Sequence, residues 1–233
     1  MATKEIIKDN LFNRQLGIID PKELDKHVLI IGAGGIGSWT ALALAKTGVK
    51  KITIVDFDTV EDVNLAPQFY NADHNGMHKA EALISRLYKE CQFTNQEFYC
   101  VNEAWGNWRH NEYIEKQNVE IVIMAVDSMD VRMKIWSDIK YAGLGLVIDG
   151  RMAKEMLSLY VVIPSNEESV AAYEKNLYPS TEADPTPCTE RAVAYNQFVI
   201  AGLITATVKH YVKKELEYKK ILFDLFSMSM ITS

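Results

Sequence analysis

Residues 32–37 read GAGGIG, and a second polar run, DFDTVEDVNLAPQ, covers 56–68. In the first, Gly32 permits a tight turn, Gly34 lets the backbone approach a phosphate, and Gly37 lets a helix pack closely on a strand. Together with Gly35 they open a helix whose N-terminal N–H groups and aligned peptide dipoles favour an anion. Asp56, at the end of the next strand, has the chemistry to accept hydrogen bonds from ribose hydroxyls. The combination predicts nucleotide binding; the alternative is a glycine-rich turn that only packs a helix. No G-x-x-x-x-G-K-[ST] run occurs, so the phosphates are not held by a Walker A loop.

Such residues need a frame, and the hydrophobic pattern supplies one. HVLIIG (27–32) reads as a buried strand, GIGSWTALALAKTG as a helix capped by Gly48, and KITIVDFD as the second strand of a βαβ unit. Between 76 and 91, Ala80, Leu83, Ile84, Leu87, Tyr88 and Cys91 recur at the spacing of a one-sided helix. EFYCV, EIVIMAV and LGLVID are further strands, with a helix over about 128–142 between the last two. This alternation predicts an α/β fold: a Rossmann-like, mostly parallel sheet flanked by helices. MLSLYVVIP follows too soon for a crossover helix and is expected to run antiparallel. NLYPSTEADPTPCTE (176–190) reads as a loop, followed by a helix over about 190–215 and strand-like runs in KKILFDLFSMSMITS. One domain over 1–233 is expected, with a nucleotide-binding half (1–150) and a part (151–233) holding the antiparallel strands, a crossover loop and the C-terminal helix.

Composition narrows the function classes. At 233 residues, 48% hydrophobic and 24% charged, the chain can bury a full core. It has no apolar run of the roughly 18–20 residues that span a bilayer, and MATKEIIKDN lacks a signal-peptide core, which predicts a cytoplasmic protein without membrane contact. A net charge of −6 argues against broad nucleic-acid binding. Cys91, Cys100 and Cys188 form no C-x-x-C pair, so neither a disulfide framework nor a cysteine-held zinc is suggested. Core packing is the expectation for Cys91 and Cys100. The five histidines show no ligand spacing.

A dinucleotide dehydrogenase and an ATP-using adenylyltransferase both satisfy the glycine turn. The order of motifs along nearly the whole chain is more specific: Arg14-Gln15, GAGGIG, DFDTVEDVNLAPQ, Gly76 with Lys79, and AVDSMDVR containing Asp127. In this the sequence resembles the ThiF/MoeB/HesA family, bacterial relatives of ubiquitin-activating enzymes. The resemblance implies adenylation of a carboxylate by ATP with Mg²⁺, the acceptor usually being the C-terminal glycine of a small ubiquitin-like or sulfur-carrier protein. Carried over position by position, it implies that Asp56 holds the ribose, that Asn64, Gln68 and Lys79 serve the nucleotide, and that Asp127 binds the metal. It also implies that Arg14 reaches the nucleotide of the other subunit in a homodimer. Cys188, in TPCTERAV, stands where members that form a thioester or persulfide carry a cysteine, and a thiolate there can attack an acyl-adenylate.

Each residue has a plainer reading beside this one. Asp127 precedes a helix and has the chemistry of its N-cap, with Asp130 completing a box-like arrangement. Lys79 has the alternative of a solvated surface lysine, Arg14 that of a charge on a short N-terminal helix, and Cys188 that of an incidental loop thiol. Asp58 and Asp149 are expected to shape turns. Two departures from the family stand out. The positions of its first zinc-binding C-x-x-C pair hold Tyr173 and Asn176, so zinc is not expected; and Pro67 replaces an arginine of the phosphate site, leaving Arg14, Lys79 and Arg151 as cations. A peptide or modified-tRNA carboxylate as acceptor, a non-catalytic partner subunit and an NAD-dependent oxidoreductase are the competing functions.

Overall fold

The computed structural model describes residues 11–91, 96–182 and 193–233. Eight strands form one sheet: β1 (His27–Ile31), β2 (Lys51–Val55), β3 (Glu97–Val101), β4 (Ile121–Met124), β5 (Leu146–Ala153), β6 (Met156–Val162), β7 (Lys220–Asp224) and β8 (Ser229–Thr232). Their spatial order is β3-β2-β1-β4-β5-β6-β7-β8. The first five are parallel, and β6, β7 and β8 are added antiparallel. The order reverses between β1 and β4, so a crevice opens outside their C-terminal ends, the usual ligand position in open α/β sheets. GAGGIG leaves β1 there and AVDSMD leaves β4.

Six α-helices cover the sheet among the described residues: α1 (Gly35–Thr47), α2 (Lys79–Glu90), α3 (His110–Lys116), α4 (Met129–Ile139), α5 (Glu167–Glu174) and α6 (Ala194–Val212). The period-2 alternation of strand side chains splits the core into two layers. Val28, Ile30, Ile123, Ile148, Leu157, Leu159 and Val161 face α1, α2 and α6 through Leu44, Leu83, Leu87, Ile200 and Ile204. Leu29, Ile31, Val122, Met124, Val147 and Val162 face the other way, toward Ile114, Ile135, Trp136 and Tyr173. Each fully buried side chain of this size contributes roughly 1.5–3 kcal/mol of transfer free energy. Gly48 ends α1 in the left-handed conformation, its N–H returning to Leu44 and Ala45 carbonyls.

The structure corrects several expectations. Helices α3 and α5 were not legible as periodic segments; both are short, seven and eight residues, too brief to repeat an apolar stripe clearly. Residues 11–18 form turns, not a short helix around Arg14. Asp149 is no turn residue: it lies inside β5, fully buried. Cys91 is buried as expected, but Cys100 is exposed, because it lies on β3, the outermost strand of the sheet's parallel end. In the 176–190 stretch a single 3-10 turn, Ser180–Glu182, is described; Cys188 lies outside the described residues.

Candidate active site

The glycine turn is shaped by contacts that no side chain could share. Gly32 has φ +98°, and a Cβ there would stand 2.6 Å from the Ala125 carbonyl oxygen at the end of β4. A Cβ on Gly37 would overlap the Gly32 carbonyl oxygen outright. Gly34, by contrast, faces open space within 4 Å, which leaves the backbone accessible to a ligand. The helix has no side-chain cap at Gly34, so its first N–H groups are available to an anion.

Asp56, Asp58 and Lys79 are tied to this turn. One carboxylate oxygen of Asp56 accepts from the Ala33 N–H at 2.6 Å and the other from the Asp58 N–H at 2.8 Å. Burial pushes the Asp56 carboxyl above its ordinary value, while those two amides and the Lys79 charge pull the other way. Lys79 opens α2, where a cation opposes the helix dipole. It is not a solvated lysine: its side chain is 11% exposed, and Nζ lies 2.9 Å from Asp58 Oδ2. Asp58 therefore holds a cation at the site instead of only shaping a turn. Tyr70 braces the arrangement, its buried hydroxyl 2.7 Å from the Ala33 carbonyl and 3.2 Å from that of Lys79.

The 62–70 segment wraps over the start of α1. Asn64 Oδ1 accepts from the Glu61 N–H, and Gln68 N donates to the Asn64 carbonyl. Gln68 Oε1 is buried without a hydrogen-bond partner among the described residues. The Pro67 carbonyl accepts from Trp39 Nε1 at 3.0 Å, and Phe69 N donates to Ser38 Oγ. Where the family pattern has an arginine, this segment offers only backbone.

Asp127 follows β4 across the crevice and is exposed, with no hydrogen bond or ion pair among the described residues. It is not the cap of α4. That role belongs to Ser128, whose hydroxyl accepts from the Val131 N–H, while Asp130 exchanges hydrogen bonds with Ser180.

Behind it lies a feature the sequence reading missed. Asp149 is 0% exposed and accepts from Arg132 Nε at 2.6 Å, Arg151 Nε at 2.9 Å and the Tyr173 hydroxyl at 2.9 Å. Arg132 Nη2 continues to the Val126 carbonyl at 2.5 Å, so the network fixes the peptide that carries Asp127. Arg151 Nη1 donates to the Asn176 carbonyl. Burial is the largest influence on Arg151 and would lower its value, but the Asp149 charge and hydrogen bond, together with Tyr173 and Tyr160, outweigh it and raise the value. Tyr173 through its hydroxyl and Asn176 through its carbonyl both anchor this ion cluster. The signal was present as opposite charges two apart in a strand, Asp149 and Arg151, which share one face. Arg151 is engaged here and is not a free cation for a phosphate.

Arg14 is not brought to the turn of its own chain. Gln15 Nε2 donates to the Thr47 carbonyl, and Phe12 packs near Gly48, so this segment sits at the opposite end of α1. The helix is about 20 Å long at roughly 1.5 Å per residue.

The ThiF family model matches residues 12–232. Among curated relatives, the tRNA threonylcarbamoyladenosine dehydratase of Escherichia coli (strain K12) is 40% identical over 109 residues, 45% of this chain and 38% of that protein. Ubiquitin-like modifier-activating enzyme 5 of Dictyostelium discoideum is 27% identical over 148 residues, 57% of this chain and 39% of that protein. The matches thus span less than half of each relative. Among solved structures, E. coli MccB crystallised with AMPCPP and MccA aligns with TM-score 0.66 at 19% identity, over 91% of this chain and 65% of that one. PaaA aligns with TM-score 0.71 at 18% identity over the same shares. These likenesses agree with the Rossmann-like sheet, and the family match over almost its whole length makes the chain a member of the ThiF family.

Proposed function

We propose that the protein activates a carboxylate by adenylation: a carboxylate oxygen attacks the α-phosphorus of ATP, and the bond to the leaving pyrophosphate breaks. The observation that carries this reading is the grouping, around the C-terminal ends of the parallel strands, of a glycine turn opening a helix, a buried Asp56, a buried Lys79 and an Asp127 with no partner among the described residues. An anion attacking an anion needs N–H donors and cations around the phosphates. The turn and Lys79 supply these, and Asp56 would accept from the ribose. Asn64 and Gln68 line the segment beside the turn.

Mg²⁺ fits the donor set in one way only. The described residues contain no cluster of three or more acidic, histidine or cysteine side chains. Mg²⁺ is commonly held by one or two carboxylates and substrate phosphates, and the unpaired Asp127 suits that mode. Such an ion would neutralise charge on the departing pyrophosphate. An exposed Arg14 at the far end of α1 from its own chain's turn supports a homodimer in which it reaches the partner's nucleotide.

The acceptor we favour is the C-terminal glycine of a small ubiquitin-like or sulfur-carrier protein, with the Cys188 thiolate then attacking the acyl carbon of the adenylate and displacing AMP to form a thioester. Relatives named for ubiquitin-like modifiers support it. The stretch of 40% identity to a tRNA threonylcarbamoyladenosine dehydratase favours a modified-tRNA carboxylate as the second reading. The test is acceptor-dependent ATP–pyrophosphate exchange, expected in the wild type and lost in Asp127→Ala. Unchanged exchange in that variant would refute the metal role.

A further inference from the structure

Gln197 lies in the first turn of α6, and it is 1% exposed. Neither its Nε2 nor its Oε1 has a hydrogen-bond partner among the described residues. The amide is pressed against the glycine turn: a Cβ on Gly35 would stand 2.5 Å from Nε2. Gly35 is the first residue of α1, so the orphaned amide borders the N–H groups that the helix leaves unused. Its own helix face continues as Ile200, Ala201 and Ile204, all buried apolar residues. An amide with no partner in such surroundings is destabilising, which packing alone does not explain.

We propose that Gln197 is a nucleotide-binding residue whose Nε2 donates to a phosphate oxygen seated on the glycine turn. The surrounding packing holds it in place. Gly150 leaves room for Ile200 and Ile204 of α6 to close on β5 beside Ile36 of α1. Trp39, one turn into α1, meets Phe198 edge-on at 4.5 Å and bonds the Pro67 carbonyl. The start of α6 and the segment lacking the family arginine are therefore joined through one indole. Gln197 returns a directional N–H donor to a phosphate site that Pro67 has deprived of one, without returning the charge.

This inference rests on the nucleotide reading above, and equilibrium binding of Mg-ATP and of adenosine separates the two. Gln197→Met keeps the shape and removes the donor. It is expected to bind Mg-ATP about tenfold more weakly, the equivalent of one charge-assisted hydrogen bond, with adenosine affinity unchanged. Its thermal midpoint without ligand should be equal or higher, since an unpaired amide becomes apolar. Gln197→Glu should weaken Mg-ATP further by placing a carboxylate against phosphate. If Met is not accommodated, Gln197→Asn, which withdraws the amide by one methylene, should give the same split between the two ligands. Wild-type affinity for Mg-ATP in the Met variant, or parallel loss of both ligands, overturns the role of Gln197 alone. A wild-type protein that binds neither ligand removes the nucleotide reading and this inference together.

Discussion

Asp127 and Asp149 stand on neighbouring parts of the sheet: Asp149 lies within β5, in register with Met124 at the end of β4, and Asp127 follows β4 outside the sheet. One carboxylate is exposed and unpaired among the described residues; the other is sealed from solvent by two arginines and a tyrosine. Three residues of extra reach past the sheet separate a group available to a ligand from a group committed to the fold. The two are coupled through Arg132, which binds Asp149 and the Val126 carbonyl next to Asp127. A dry, satisfied network thus aims an open site. The lesson is that an ionised group in this fold is identified as structural or functional by what occupies its lone pairs, not by residue type.

The largest effect that would test this contrast is Asp149→Ala. Removing the shared carboxylate leaves Arg132 and Arg151 as buried, unpaired cations, and denaturant unfolding should show a loss of about 3–5 kcal/mol. Asp127→Ala, although expected to abolish exchange, should stay within about 0.5 kcal/mol of wild type in the same measurement. Similar losses in both variants would break the division.

A smaller effect sharpens the open site. Pro67→Arg restores the planar, always-charged donor of the family pattern on a segment whose backbone bond to Trp39 does not depend on the side chain. Mg-ATP affinity should rise about tenfold, the scale of one charge-assisted hydrogen bond. No gain would mean that the crevice already saturates its phosphate contacts.

The smallest effect concerns a buried group remote from both aspartates. His27 contacts the Gln117 carbonyl and Thr53 Oγ1, and burial lowers its value below 6.5. The unfolded chain therefore takes up the proton first as pH falls. This contribution is level above about 6.5 and is lost as pH drops from there through the lowered native value. His27→Gln should flatten that part of the stability profile, whereas Asp127→Ala should leave it unchanged.

Much of the frame was legible because it is local. Strands β1, β2 and β4, helix α1 with its Gly48 cap, helix α4 and the antiparallel turn into β6 follow from patterns within a few residues. The glycine turn and Asp56 were legible for the same reason. Asp149 misled because a charge after Leu-Val-Ile and before Gly reads as a strand end; its two arginines and Tyr173 come from three different elements. Gln197 gave a weak signal, a polar residue on the helix face shared with Ile200 and Ile204, but nothing local says what it faces.

By itself the sequence determined the alternation of strands and helices, the glycine turn and the family. Period-2 and period-3.6 burial, glycine conformations and motif order are properties of short segments. Only the tertiary structure decided that Lys79 is buried against Asp58, that Arg151 serves Asp149 instead of a phosphate, that Arg14 stands at the far end of α1, and that Gln197 lies on the glycine turn. Each depends on where distant segments meet, and that is set by packing of the two core layers rather than by any local preference.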